Sequence, residues 1–311
     1  MNKFIITTTI NKPTIATLKF CEIADKKDFY FIIVGDKKTP HDFYRDLSCR
    51  FKKVIYLSPE EQEKLYPDLS NVIGWNCIAR RNIGFVHAYK LKADIIATVD
   101  DDNIPYDNWG DEILVGKEIT VDLYKNVDCD YFDPISVTNH NDLWHRGYPI
   151  EHLKHKNNIE YLGKQKIKCL VQAGFWDGDP DIDAICRLSK KPIVKFTQFE
   201  PFTSNQLAPF NSQNTFLDIS VLSDYSVLPF IGRLDDVWAS YILQLKYKKS
   251  VVYTKSSVYQ ERNPQDLILN LENEIIGYRT TLKLLNDLEN YTLYLPEKTQ
   301  EYIKIYKSYF I

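Results

Sequence analysis

The sequence predicts an α/β fold built on a parallel sheet, and three observations carry that expectation. Apolar runs of strand length alternate with helical patterns through the first hundred residues. Repeated βα units of this kind imply a sheet covered on both faces. The runs end in Thr7-Thr8-Thr9, Gly35-Asp36 and Asp100-Asp101-Asp102, and in such sheets ligands bind beyond the carboxyl ends of the strands. Three segments far apart in sequence are therefore expected to line one crevice.

The elements follow in order. Phe4 to Thr9 reads as a strand, and Pro13 to Ile23 as a helix with proline at its start. Phe29 to Val34 is a second strand, His41 to Leu47 a helix and Lys53 to Leu57 a third strand. Asn76 to Lys90, with Ala79, Ile83 and Val86 at helical spacing, is an amphipathic helix leading into the strand Ile95 to Val99. From about Asp107 to Lys195 the periodicity is weak and aromatics, His, Asp and Pro are frequent, which predicts loops and short strands around a pocket. Near the end, Ile268, Leu271, Ile275, Tyr278, Leu282 and Leu285 step by three and four along a helix expected to open at Asn263 and Pro264. Such a stripe packs on its own domain or, alternatively, forms the seam of a homodimer. With no low-complexity linker or repeat, one catalytic domain over residues 1–263 is expected, with residues 264–311 as a C-terminal helical extension packed on it.

Composition excludes several classes. A net charge of −3 offers no global attraction to nucleic acid or anionic membrane, so phosphate binding would have to come from locally placed Arg and Lys. The opening MNKFIITTTINKP is too short in its apolar run for a signal peptide, and no stretch approaches the ~20 apolar residues of a membrane span. A cytoplasmic location is expected on that basis. Six cysteines without a CxxC pair suit reduced thiols and neither a disulfide frame nor a zinc site. Six histidines form no HxxxH or HExxH pattern, and the chain lacks a Gly-rich phosphate loop and a GxSxG elbow.

The remaining chemistry lies in acidic clusters. Asp100 to Asp102 can hold a divalent ion through hard carboxylate oxygens, or can be a solvated acidic turn closed by Asn103 and Pro105. Arg81, one helix earlier, can give bidentate hydrogen bonds to a phosphate or a uracil carbonyl, or can lie on a polar helix face. Asp36 can accept from a uracil imide or a ribose hydroxyl, or end a polar turn. Asp177, Asp179, Asp181 and Asp183 alternate beside Trp176, a pattern suited to a sugar, whose hydroxyls donate to carboxylates while its C–H face stacks on a ring. Asn211, Gln213 and Asn214 pair with hydroxyls as donor and acceptor at once. Asp235 and Asp236 stand before a helical pattern, where a carboxylate serves as a plain cap or as the base that takes a proton from an attacking hydroxyl.

Taken in order, ARRNIGF, TVDDDN, HRGYP, FWDGDPDIDAI, PFNSQNT and RLDDVWASYI resemble the motif series of the STELLO-type glycosyltransferase-like proteins. The series is similar, more distantly, to the reversibly glycosylated polypeptides that act as UDP-arabinopyranose mutases. The resemblance spans roughly residues 75 to 265, with GDKKTP and QERNPQDL at its margins. It implies a GT-A (Rossmann-like nucleotide-diphospho-sugar transferase) fold, a UDP-sugar donor, and Mn²⁺ or Mg²⁺ at the Asp triplet. Two positions depart from the mutases. Leu153 and Lys154 stand where those enzymes carry the glycosylated arginine, and VVYTKSSVY lacks their late histidine, leaving Lys255 or Arg262 to neutralise the diphosphate.

The resulting expectation is a metal-dependent glycosyltransferase that moves a sugar from a UDP-sugar donor to a hydroxyl acceptor such as a glycan. Asp100 and Asp102 bind metal; Thr7, Thr8, Asp36, Arg81, Asp100 and Asp101 bind the nucleotide; Lys255 and Arg262 face the diphosphate. Trp176, Asp179, Asp181, Asp183, Asn211 and Asn214 shape the sugar and acceptor pocket, and Asp236 is the base, positioned by Asp235. The alternatives are a UDP-sugar mutase and a non-catalytic nucleotide-sugar-binding protein.

Overall fold

The computed structural model describes residues 1–197 and 199–310. Strands β1 (Lys3–Thr9), β2 (Phe29–Gly35), β3 (Val54–Leu57) and β4 (Ile95–Val99) form a parallel half-sheet in the order β3-β2-β1-β4. Phe31, Ile32, Ile33 and Val34 are all fully buried, as strands covered on both faces must be. The intervening helices are α1 (Ile15–Lys27), α2 (His41–Arg50), α3 (Pro59–Leu65), α4 (Pro67–Ile73) and α5 (Arg81–Lys90).

Helix boundaries depart from the sequence expectation where a side chain claims the turn. α1 starts after Pro13 because Thr14 caps it, accepting from the Thr17 amide. α3 and α4 occupy a stretch with no predicted helix, and α3 opens on a reciprocal capping box between Ser58 and Glu61. α5 is shorter than Asn76 to Lys90, since Asn76 is left-handed (φ 59°) and Ile78–Arg80 is a 3₁₀ turn. Arg81 therefore begins the helix. Gly84 lets α5 press onto the sheet: a Cβ there would lie 2.5 Å from the Ile6 Cγ2.

The other half of the sheet, beyond the βα units of the first hundred residues, is mixed. It contains β5 (Asn103–Pro105), β6 (Glu118–Asn126), β7 (Ile159–Lys168), β8 (Val171–Gly178), β9 (Phe202–Ser204), β10 (Asn214–Asp218) and β11 (Val251–Gln260). The full order is β3-β2-β1-β4-β10-β8-β11-β9-β6-β7, with β5 paired to β11. β10 runs antiparallel between β4 and β8, and its register sets Asn214 opposite Val99. The PFNSQNT segment is thereby delivered to the end of β4.

Residues 107–195, expected as loops and short strands, include the long antiparallel pair β6–β7, joined through residues 127–158, and β8. β7 is the sheet edge, with Glu160, Tyr161, Leu162, Lys164, Gln165 and Lys166 all exposed. Neither face of it is apolar, so it carries no period-two signal, and its lysines suit an unpaired edge.

The later helices are α6 (Ala184–Lys190), α7 (Asp235–Lys246), α8 (Leu267–Asn286) and α9 (Glu297–Ser308). α8 opens at Asp266, whose side chain accepts from the Ile268 and Leu269 amides, and not at Asn263. Its buried face is Glu274, Gly277, Thr281, Leu284 and Leu285, while Ile268 and Ile275 of the expected stripe are 59% and 39% exposed. α9 returns to pack on α4, and the Tyr306 hydroxyl near its end bonds the Leu222 and Tyr225 carbonyls. Among the described residues no helix is long and apolar enough to cross a membrane.

Candidate active site

The triplet leaves β4 and its three carboxylates part company. Asp100 receives the Arg81 guanidinium on Oδ1 and keeps 24% of its side chain exposed. Asp101 turns back to the β1–α1 loop, accepting from the Thr9 hydroxyl and from Asn11 Nδ2 at 3.0 Å, while its carbonyl takes the Thr14 hydroxyl. Asp101 thus ties two strand ends together. Asp102 has a buried Oδ1 that no donor meets. Burial, with Asp100 alongside, pushes the Asp102 carboxyl up to about 7, and Arg262 acts against that rise.

An unpartnered carboxylate oxygen beside a second carboxylate is the chemistry of a hard divalent cation such as Mn²⁺ or Mg²⁺. Asp100 and Asp102 are the residues that would hold it. Among the described residues no three His, Cys, Asp or Glu side chains come together as a metal cluster. An ion held here would need further oxygens from a bound ligand or from water, as Mg²⁺ at substrate phosphates does.

The other two strand ends are less open than expected. Asp36 is 1% exposed and its oxygens accept the Lys37 and Cys77 amides, at 2.6 and 3.3 Å. That carboxylate shapes the turn containing Gly74 (φ 74°) and Asn76. Thr7 and Thr8 lie within β1, both buried, and the Thr8 hydroxyl donates to the Val34 carbonyl. Their side chains are enclosed in the sheet; the polar groups at and beyond the end of β1 are Thr9, Asn11 and Thr39.

PFNSQNT is the joint of the site. The Ser212 carbonyl accepts from Arg81 Nη1 at 2.9 Å and from the Thr98 hydroxyl at 2.9 Å. Ser212 then donates its amide and hydroxyl to Asp236 Oδ2, at 2.8 and 3.0 Å. Asn211 Nδ2 donates to Asp181 Oδ2 at 2.9 Å, and the Gln213 carbonyl accepts the Asp100 amide. This one loop therefore fixes both acidic clusters to each other.

The second cluster is closed. Arg146, of HRGYP, donates to Asp181 from Nε and Nη2 and to Asp236 Oδ1 at 3.0 Å. Arg146 is 6%, Asp181 1% and Asp236 4% exposed. Despite complete burial, Arg146 and Arg262 hold the Asp181 carboxyl far below the usual carboxylate range. Arg262 sits between the clusters, 3.5 Å from Asp179 and 3.8 Å from Asp181. Asp179 also pairs with Arg187.

α7 begins at Asp235 and Asp236. Both oxygens of Asp236 are taken up by Arg146 and Ser212, which removes it as the free base expected from the sequence. Asp235 accepts the Asp236 amide on Oδ1 at 2.9 Å and is half-buried. Burial and the adjacent Asp236 push its carboxyl up to about 7. The roles of the pair are thus exchanged: Asp236 is the anchor and Asp235 the carboxylate able to take a proton near neutral pH.

Four further expectations are corrected. Trp176 is 1% exposed, packed among His145, Phe175 and Phe196, and has no face for a sugar. Asn214 is 1% exposed, its amide bridging Trp109 Nε1 and the Phe175 carbonyl. Asp183 caps α6, accepting from the Cys186 amide and from Trp144 Nε1. Lys255 lies 3.6 Å from Glu112 in a separate cleft of about 500 Å³ lined with Gln172, Phe216 and Ser257, which the triplet does not enter. Arg146 and Ser212 went unpredicted as site residues, although HRGYP and PFNSQNT contain them; nothing local distinguishes a buried arginine from a surface one.

No protein-family model and no curated protein matches the chain. Among solved structures it is similar to glucosyl-3-phosphoglycerate synthase from Mycobacterium tuberculosis. The complex of that enzyme with Mn²⁺, uridine-diphosphate and phosphoglyceric acid overlaps 90% of this chain and 77% of its own, at 10% identity and a TM-score of 0.46. The complex with phosphoglyceric acid overlaps 91% and 78%, at 11% identity and a TM-score of 0.45. Scores that low assign neither a fold family nor an activity to this chain.

Proposed function

We propose that the chain is a GT-A glycosyltransferase that takes a UDP-sugar with Mn²⁺ or Mg²⁺ and transfers the sugar to a hydroxyl acceptor. The observation that carries the reading is the unpartnered Asp102 Oδ1 beside Asp100, at the carboxyl end of a parallel strand. The motif series supports the nucleotide sugar. Residues 1–263 are the catalytic domain in this reading, and residues 264–311 an extension packed on it.

A divalent ion bound there would offset the charge of the diphosphate oxygens. Arg81, fully buried and paired with Asp100, would act on the nucleotide through that carboxylate. Arg262, which acts on Asp102 and pairs with Asp179, would supply positive charge to a diphosphate at the triplet. Asn11, half-buried just beyond β1, would bound the nucleoside end, with the buried Asp36 and Thr39 shaping the loop behind it. Asp235 accepts the proton of the attacking hydroxyl, and Arg146 and Asp236 keep it in place.

A panel of UDP-sugars incubated with Mn²⁺ and read by UDP release tests this reading. Turnover of at least one donor that EDTA abolishes is the expected result. Absence of turnover across the panel, with no acceptor-independent hydrolysis, would leave only a binding role. Appearance of a second UDP-sugar without UDP release would mark a mutase.

A further inference from the structure

Glu274 sits in the middle of α8, is 1% exposed, and makes three hydrogen bonds that all leave its helix or brace its own position. Oε1 accepts from Arg233 Nε at 2.8 Å. Oε2 accepts from the Ala184 amide, the first residue of α6, at 2.7 Å and from the Tyr278 hydroxyl at 2.9 Å. A buried carboxylate is retained at a cost unless its partners are matched to it, and here the matched cation is the residue two before Asp235.

The backbone agrees. Gly232 has φ 70° and a Cβ there would lie 2.5 Å from the Asn273 carbonyl oxygen; a Cβ on Gly277 would lie 2.7 Å from Leu234 Cδ2. Helix α8 and the turn at residues 232–234 therefore approach as closely as two backbones can. The Arg233 carbonyl in that turn accepts from Arg146 Nη1, and Arg146 holds Asp181 and Asp236. A continuous path of hydrogen bonds runs from α8 to the two acids of α7.

We propose that Glu274 is a positioning residue of the active site: it holds the Arg233 guanidinium on α8 and fixes the turn from which α7 begins. The inference rests on the reading of Asp235 as the base. Among the described residues Glu274 is the only carboxylate within ion-pair distance of Arg233, so its loss frees a half-buried cation two residues from Asp235. The charged groups that act on Asp235 are Asp236 beside it, Arg146 and Arg233. Arg233 already favours the Asp235 anion, and without the Glu274 charge to offset it the effect would grow and weaken Asp235 as a base.

The test compares full-length wild type, Glu274→Gln, Arg233→Met and the double variant. Carboxylate ¹³C NMR follows the titration of Asp235, and hydrolysis of a UDP-sugar with Mn²⁺ follows kcat and KM across pH. Glu274→Gln is expected to lower the Asp235 midpoint by about one pH unit and kcat by about tenfold, with KM unchanged. Adding Arg233→Met should restore the midpoint, a coupling that lost stability alone does not produce. An unaltered Asp235 midpoint in folded Glu274→Gln would overturn the proposal, as would a lowered midpoint that persists in the double variant. If wild type hydrolyses no UDP-sugar, the proposed function fails, while the carboxylate titration still decides the role of Glu274.

Discussion

Asp102 and Asp181 each follow the end of a buried strand, and each has Arg262 as a neighbour, yet they are built for opposite tasks. Asp181 accepts from Arg146 Nε, Arg146 Nη2 and Asn211 Nδ2, so its oxygens are saturated by the protein. Asp102 keeps an oxygen that nothing in the described residues satisfies. Donor supply moves the first carboxyl far down, and its lack lets burial push the second up. The difference teaches that acidic content alone does not locate chemistry. The saturated acid is framework, and the unsaturated one is where the protein leaves room for an ion and its ligand.

The largest expected effect separates the two acids by stability. Asp181→Ala leaves the buried Arg146 guanidinium with Asp236 as its remaining carboxylate partner and should cost about 3–5 kcal/mol in urea denaturation. A loss below about 1 kcal/mol would mean that the second cluster is no framework at all.

The next effect is a pH dependence. Because the Asp235 carboxyl is pushed up to about 7, the folded chain binds a proton there that the unfolded chain releases near the ordinary carboxylate range. The associated stability is fully present below that ordinary range and is lost as pH rises through about 7. Asp181 acts the other way, its contribution being lost as pH falls through its depressed range. Asp235→Asn should therefore match wild type in acid and gain on it above neutrality, by up to about 1.4 kcal/mol for each pH unit between the two midpoints. Parallel stability curves for the two proteins would refute the assignment.

Lys255→Ala supplies the smallest effect and the control. Its cleft is separate from the triplet, so stability should stay within about 0.5 kcal/mol and Mn²⁺-dependent UDP binding should be unchanged by calorimetry. A clear loss of UDP affinity would return Lys255 to the diphosphate.

These contrasts also mark what was legible beforehand. The strands β1 to β4 are apolar runs buried on both faces, and their limits in the structure differ little from those drawn from Phe4, Phe29, Lys53 and Ile95. The position of the triplet followed from them. β7, an edge strand exposed on both faces, has no alternation to read, and β10 is five residues, nearly all buried, without a period; β6 does alternate, with Val121 and Leu123 buried, but over too few residues to stand out in an irregular stretch. Within the site, residue type misled where pairing is tertiary. Trp176 and Asn214 are residue types that suit a sugar, but β8 and β10 turn them into the core. Asp235 and Asp236 are indistinguishable in sequence, and only the arrival of Arg146 and Ser212 decides which of them is anchored.

The most direct test of the unsaturated acid is the melting temperature of wild type and Asp102→Asn, each alone and with UDP plus Mn²⁺. A ligand near a hundred times its Kd should stabilise wild type by about 2.7 kcal/mol. The variant should melt no lower than wild type when unliganded, because it replaces a carboxylate one of whose oxygens is buried without a donor, and should gain nothing from UDP and Mn²⁺. Equal stabilisation of the two proteins, or none of wild type, would contradict the account.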